Sequence, residues 1–338
     1  MLHVGISIRD VAAKAGVSLA TVSQVFRNPN RVSSTYREKV LVAAEELNYL
    51  PRFIRKRAAY GNVGVLIDQN RGPFGEFYSS ILMGILEQAK KLKWNISLEL
   101  YNSFSEGAFP PMITEKRVDA ILLLSKHEDN YIERLIKRGI PYCIVDYRSD
   151  LIKHNCIRPN WKQGAKLAVK YLLTQGHRDI AMIHSPLEKG CASIERIEGY
   201  NEAFEEAGME PPEGGLQDGG FNYQIAYSKT LNLLNRYSRF SALFCATDVM
   251  ALGAYKAIHE RGLRIPEDIS VVGFDNIEWP YYIDHPSPPI TTVDVDKHRL
   301  GQKALQFVHD LIVHQHKLIQ EIIIPMNLIE KGSVQKNI

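Results

Sequence analysis

Long apolar runs are missing from this chain of 338 residues: none reaches the ~18 residues that a membrane span needs, so no spanning segment is expected. Cysteine is scarce as well. The four present, Cys143, Cys156, Cys191 and Cys245, stand far apart, with no C-x-x-C pair and no histidine at metal-ligand spacing. That argues against a disulfide framework, a zinc site or a redox pair. Residues 1–7 lack the basic-then-apolar order of a secretory signal, so the expected compartment is the cytoplasm. The spacings G-x-x-x-x-G-K-[ST], G-x-S-x-G and H-E-x-x-H are also absent, which leaves nucleotide hydrolysis, esterase and zinc-protease chemistry without support. No enzyme activity, cofactor or metal is expected. His314 and His316 flank Gln315 without further ligands and read as surface residues.

What the chain does have is an ordinary globular composition, 45% apolar and 23% charged, and a length that suits two or three domains. Its charge is unevenly placed. Up to Tyr60 ten basic residues face four acidic ones, a net +6, whereas the whole chain carries +3 and the remainder therefore −3. A compact basic head on a mildly acidic body implies a polyanionic partner for the head, since neutralising phosphates releases counterions.

The head reads as three helices. Ser7 precedes Ile8, Val11, Ala12 and Ala15 at i, i+3, i+4 and i+7 spacing, with Asp10 placed to complete a capping box. Gly16 and Val17 break that helix, and Ser18 caps a second one running to Phe26, with Val22, Val25 and Phe26 on its buried face. A third starts at Ser33 or Ser34 and stops before Pro51. Two short helices about a tight glycine turn make a helix-turn-helix, although any small three-helix bundle shares that pattern.

From Val63 the texture changes to short, nearly continuous apolar runs (63–67, 96–100, 120–124, 142–145, then 180–183, 242–245 and 269–274) alternating with helical segments. That alternation predicts an α/β region of parallel, doubly wound sheets covered on both faces, and its two series predict two lobes. Ligands of such sheets sit at the carboxyl ends of the strands, so a cleft between the lobes is the expected site.

Both halves carry a family resemblance. The run Ile8-Arg9-Asp10-Val11-Ala12-Ala13-Lys14-Ala15-Gly16-Val17-Ser18-Leu19-Ala20-Thr21-Val22-Ser23 and the later Ala43-Ala44-Glu45-Glu46-Leu47-Asn48-Tyr49-Leu50-Pro51 resemble the DNA-binding head of LacI/GalR-family repressors. Further along, Gln175-Gly176-His177-Arg178-Asp179, Pro266-Glu267-Asp268-Ile269-Ser270-Val271-Val272-Gly273-Phe274-Asp275 and Thr291-Thr292-Val293 resemble signatures of the same family. The resemblance implies a head over residues 1–50, a hinge over 51–61, and a periplasmic-binding-protein-like sensor. Its N-lobe would take 62–160 and 291–324 and its C-lobe 161–290 and 325–338, with crossings near Asn160, Ile290 and Pro325.

The resemblance also implies a homodimer on palindromic double-stranded operator DNA, since one helix-turn-helix reads only a half-site. The second helix would enter the major groove with Leu19, Ala20 and Gln24 exposed to base edges. Gln24 stands where relatives commonly have Arg, and Gln suits adenine better than guanine. Leu19 and Ala20 offer only apolar contact, while Ser18, Thr21 and Ser23 suit phosphates or local caps, and Arg27 and Arg52 complete the DNA-facing set. In the hinge, Arg55 and Ala58 stand where relatives have a small residue and an intercalating Leu, so strong kinking is not expected and salt sensitivity is.

For the sensor the resemblance implies a small-molecule effector, a sugar or sugar derivative, that closes the cleft. Arg196, Asp275 and Asp146 are the polar contacts expected, Phe77, Tyr78 and Phe221 the stacking ones, and Thr247 stands where relatives often have Asn. Asp248 reads as a helix cap, and Asp294 and Asp296 as solvated turn acids. Two alternatives remain at this point. An exported sugar-binding transport protein would share the lobes but lack the basic head, and a sugar-modifying enzyme would need an acid and base in the cleft.

Overall fold

In the computed structural model the described residues are 6–27, 31–47, 49, 61–68, 75–101, 109–125, 127–187, 192–236, 240–279, 285–314 and 319–337. The hinge positions Arg52, Arg55 and Ala58 lie outside them, as does Cys191.

The head is built from helices α1 (Ile8–Ala15), α2 (Leu19–Arg27) and α3 (Ser34–Glu46). The Ser7 amide donates to the Asp10 carboxylate at 2.7 Å, which satisfies a backbone donor the helix start leaves open. Gly16 ends α1 in the left-handed region at φ 64, which favours glycine. Ser18 Oγ accepts from the Thr21 amide at 3.0 Å and so starts α2. Val11, Val22, Val25, Phe26 and Val40 close a core of the head's own. Lys14 meets Glu46 at 2.7 Å across α1 and α3 on the exposed side.

The sensor holds two six-stranded sheets. The first runs β2 (Asn95–Tyr101), β1 (Asn62–Asp68), β3 (Ala120–Leu124), β4 (Tyr142–Val145), β5 (Cys156–Pro159) and β11 (Glu321–Ile324), all parallel. In the inner strands β1, β3 and β4 the side chains alternate between two buried faces, which is why these strands read as continuous apolar runs. Leu122 and Leu124 face α4 (Glu76–Leu92) and α11 (Lys297–His314), whereas Ile121 and Leu123 face α5 (Pro111–Thr114) and α6 (Asp129–Arg138). Helices α4 and α11 touch backbone to backbone, because a Cβ on Gly84 would overlap the His298 carbonyl and one on Gly301 the Ile81 carbonyl.

The second sheet runs β7 (Leu216–Asp218), β6 (Ile180–His184), β8 (Ala242–Cys245), β9 (Ser270–Phe274), β10 (Thr291–Asp294) and β12 (Asn327–Ile329), with β12 alone antiparallel to its neighbour. Its helices are α7 (Trp161–Thr174), α8 (Ala192–Glu206), α9 (Tyr223–Arg236) and α10 (Asp248–Glu260). The chain passes between lobes after β5, after β10 and between β11 and β12.

The second passage corrects an expectation. Thr291–Asp294 was placed in the N-lobe with a crossing at Ile290, but it pairs in parallel with β9 and belongs to the C-lobe sheet, so the crossing falls at Val295 and Asp296. The run is short and two of its first three residues are threonines, so its partner could not be told from the pattern.

Candidate functional site

Three residues that directly follow strands of the two sheets take left-handed backbone conformations: Ser125 after β3 (φ 79), Asp146 after β4 (φ 69) and Asp275 after β9 (φ 98). Such positions cost free energy outside glycine and gather where a chain is held for function. Here they turn the two aspartates at the carboxyl ends of their sheets, where an open parallel sheet receives its ligand.

Arg196 is the centre of the second lobe's contribution. It sits in the first turns of α8, buried, with its guanidinium 4.4 Å from the Trp161 ring and 4.5 Å from the Phe274 ring. The two rings touch one another, with centroids 5.9 Å apart, so the guanidinium lies over a pair of adjacent ring faces and is attracted to both by cation–π interaction. Its Nη2 stands 3.8 Å from Asp275 Oδ1. Burial pushes the Asp275 carboxyl well above its ordinary range, with the Asp248 and Asp146 carboxylates adding to the shift and Arg196 and Lys297 opposing it.

The first lobe supplies Asp146, whose Oδ2 accepts from the Tyr78 hydroxyl at 3.0 Å and whose buried Oδ1 accepts no hydrogen bond from the described residues. Burial pushes its carboxyl up to about 7, against the pull of Tyr78, Arg196 and Arg158. Phe77 packs edge-on to Tyr78 at 5.2 Å and lies 6.4 Å from Trp161, so it touches the cores of both lobes. Phe77, Tyr78, Asp146, Arg196 and Asp275 therefore converge on one place.

Two expected contacts do not join them in the same way. Thr247 Oγ1 accepts from the Met250 amide at 3.1 Å, so Thr247 is the cap of α10. Asp248, read as that cap, is instead buried inside the turn: its Oδ2 accepts from the Ile277 amide at 2.8 Å and its Oδ1 from the Thr292 hydroxyl at 2.7 Å. Phe221 stands 48% exposed in the turn beyond β7, outside the packed aromatic group. Asp294 and Asp296 are engaged as well, by the Asn276 side-chain amide at 3.0 Å and the Arg299 backbone amide at 2.9 Å.

Sequence reasoning missed Trp161, Phe274, Lys297 and Glu76. Lys297 is buried and donates to the carbonyls of Asp275 and Asn276 at 2.5 and 3.1 Å, with Glu76 3.8 Å away. A lysine two residues past a lobe crossing gave no sign of burial. Trp161 did carry a signal, since it directly follows the first crossing.

A separate cavity of about 440 Å³ opens on the first lobe, lined by Arg148, Lys153, His154, Ile319 and Glu321 among others. It contains none of the expected effector residues. Among the described residues no cluster of His, Cys, Asp and Glu could hold a metal, and no helix is long and apolar enough to cross a membrane.

On the head, Ser18, Leu19, Ala20, Gln24 and Arg27 are exposed along α2, while Thr21 and Ser23 are half-buried. The Ser18 and Thr21 hydroxyls lie 2.8 Å apart and satisfy one another. Arg27, in the last turn, is the basic residue of α2.

A basic helix-turn-helix joined to a two-lobed sensor with a polar, aromatic-walled cleft defines a ligand-responsive DNA-binding regulator. Comparison with known proteins agrees. The profile "Bacterial regulatory proteins, lacI family" matches residues 7–52, and "Periplasmic binding protein-like domain" matches residues 169–334. The HTH-type transcriptional repressor PurR of Proteus mirabilis is 33% identical over 338 residues, covering 97% of this chain and 96% of that one. The chain thus belongs to the LacI family of transcriptional repressors, which are not enzymes. Among solved structures it is similar to the transcriptional regulator CelR–cellobiose complex (28% identity, TM-score 0.72, 97% and 99% of the two chains). It is also similar to the lac repressor dimer bound to operator and the anti-inducer ONPF (27% identity, TM-score 0.71, 98% and 99%).

Proposed function

We propose that this repressor acts in the cytoplasm as a homodimer on a palindromic operator and that a sugar or sugar derivative, bound between its lobes, sets its operator affinity. The observation that carries the effector reading is Arg196 buried against the adjacent rings of Trp161 and Phe274, with Asp275 beside it and the Asp146–Tyr78 pair opposite. A fixed planar fork suits vicinal hydroxyls, and carboxylates at strand ends accept from them. Similar solved structures carry cellobiose or ONPF. For the dimer, Met83 and Leu86 on α4 and Leu98 and Leu100 on the edge strand β2 leave apolar area uncovered for a second copy. Effector and operator affinities are coupled reciprocally in such an arrangement.

A nucleobase is the second reading. Burial holds the Asp146 and Asp275 carboxyls above their ordinary range, and a protonated carboxyl donates and accepts at once, as the amide edge of a base does.

A thermal-shift screen of sugars and nucleobases on the full chain tests both. A ligand at 100 times its Kd adds about 2.7 kcal/mol to stability. Arg196→Met, which keeps apolar volume against the rings, is expected to abolish that gain while leaving ligand-free operator binding measurable. A ligand that stabilises wild type and Arg196→Met equally removes Arg196 from the site.

A further inference from the structure

Glu195 precedes Arg196 on α8, and its carboxylate points at the other lobe. Arg158 Nη1, on β5, donates to Glu195 Oε2 at 2.8 Å, and Arg148 Nη2 stands 3.8 Å from Glu195 Oε1. Arg158 is buried, and its Nε also donates to Glu321 on β11 at 2.5 Å. The guanidinium thus holds one carboxylate from its own sheet and one from across the cleft. It lies one residue before the first crossing ends β5 at Pro159.

We propose that the Glu195–Arg158 pair is a hinge-side clasp that sets how far the lobes stand closed without ligand and positions Arg196 for the effector. The two carboxylates differ in one respect that matters. Glu321 belongs to the strand hydrogen-bonded to β5, with Ile323 in register with Arg158, so that pair survives any rotation of one lobe against the other. Glu195 rides on the opposite lobe, so the same rotation must stretch its bond. Because Glu195 and Arg196 are consecutive residues of one helix, whatever draws Glu195 from Arg158 draws Arg196 from Asp146 and Tyr78. Seating the clasp and seating the effector residue are therefore one rigid motion.

A second cation stands nearby. Glu195 would be the uncompensated member of a carboxylate–guanidinium–carboxylate row, but Arg148, also on the first lobe and bonded to Asp150 at 3.0 Å, stands 3.8 Å from its second oxygen. Both cations set against Glu195 come from across the cleft; the Arg158 pair is sheltered enough for charge attraction to exceed that of a surface pair, whereas Arg148 is exposed and adds little. Losing this attraction favours the open arrangement, which lowers effector affinity without removing any ligand contact and alters operator affinity through linkage. Glu195 is thus a positioning residue. Its role in effector binding rests on the cleft reading given above, whereas its role in lobe closure does not.

The test compares Glu195→Gln with Glu321→Gln in the full-length chain, since both weaken the grip on one guanidinium but only the first is interlobe. Ligand-free small-angle scattering reads closure, and a labelled duplex from the chain's own promoter region reads operator affinity. Glu195→Gln is expected to raise the radius of gyration and shift the operator Kd on the order of fivefold. Glu321→Gln is expected to lower the melting temperature with both readouts unchanged, and Glu195→Asp, with its charge on a shorter stem, to fall between wild type and Glu195→Gln. Identical scattering and operator binding for the Gln pair overturns the clasp. If no sugar or nucleobase binds yet Glu195→Gln still opens the lobes, the effector reading fails and the clasp stands.

Discussion

Removing the Asp248 carboxylate should release the turn that carries Asp275. Asp248 is buried and accepts from the Ile277 amide at 2.8 Å and the Thr292 hydroxyl at 2.7 Å. Between them these bonds hold Asp275 and Asn276 at φ 98 and 48, a left-handed stretch that aspartate and asparagine tolerate better than most residues but that extended backbone would otherwise replace. A hydrogen bond to a charged group contributes roughly 1.5–3 kcal/mol, and Asp248→Ala loses two while leaving a buried amide unpaired, so a loss of roughly 3–5 kcal/mol is expected. Asp248→Asn keeps one acceptor for two donors and should lose about half of that. The pH dependence gives a second signature. Burial pushes the Asp248 carboxyl from 3.8 up to about 6, so between those values the folded chain holds more proton than the unfolded chain. The stability from this group is then complete below about pH 4 and is lost as pH rises through 6, a trend that Asp248→Asn lacks. Urea unfolding followed by circular dichroism at pH 4.5 and 7.5, with effector titrations, measures both. An Ala variant within ~1 kcal/mol of wild type, or a wild-type-minus-Asn difference that does not change with pH, refutes the reasoning.

Two further outcomes follow from the site and the head. Since Asp146 titrates near 7, affinity for a hydroxyl-donating ligand should rise from pH 6 to 8, by at most about tenfold per pH unit, as the carboxylate forms. Tyr78→Phe, which removes a bond favouring the charged form, should move that midpoint upward; calorimetric titrations flat across the range count against Asp146 as an acceptor. On the head, Gln24→Arg should move preference at one base pair from adenine to guanine by about 1–3 kcal/mol in a selection from randomised duplexes, and unchanged preference removes Gln24 from the groove.

Local chemistry was readable where it acts over a few residues. Ser7 with Asp10, Gly16 and Ser18 declare the head's helix ends because caps and left-handed turns depend on neighbours in sequence. The apolar strands were readable for a similar reason, since burial on both faces leaves no polar interruption. The site was legible only in part. Arg196 and Asp275 could be found, but the rings Arg196 lies over come from α7 and β9, far apart in the chain. Asp248 was mistaken for the cap that Thr247 supplies because both residue types cap helices, and the tertiary partners Ile277 and Thr292 engage Asp248 instead. Lys297 gave no warning because lysine is rarely buried, and only carbonyls turned outward beyond β9 make that position favourable.

The strands β11 and β12, one on the outer edge of each sheet, come from a single stretch between Glu321 and Ile329. Ser333 then stitches that stretch down, accepting from the Thr291 amide and donating to the Val271 carbonyl. A nascent polypeptide leaving the ribosome therefore finishes its DNA-reading helices some 280 residues before either half of the sensor can complete its border. A premature stop after the lobes have begun but before Glu321 would leave both sheets without those strands, while the head, whose described core lies within residues 8–49, would still assemble.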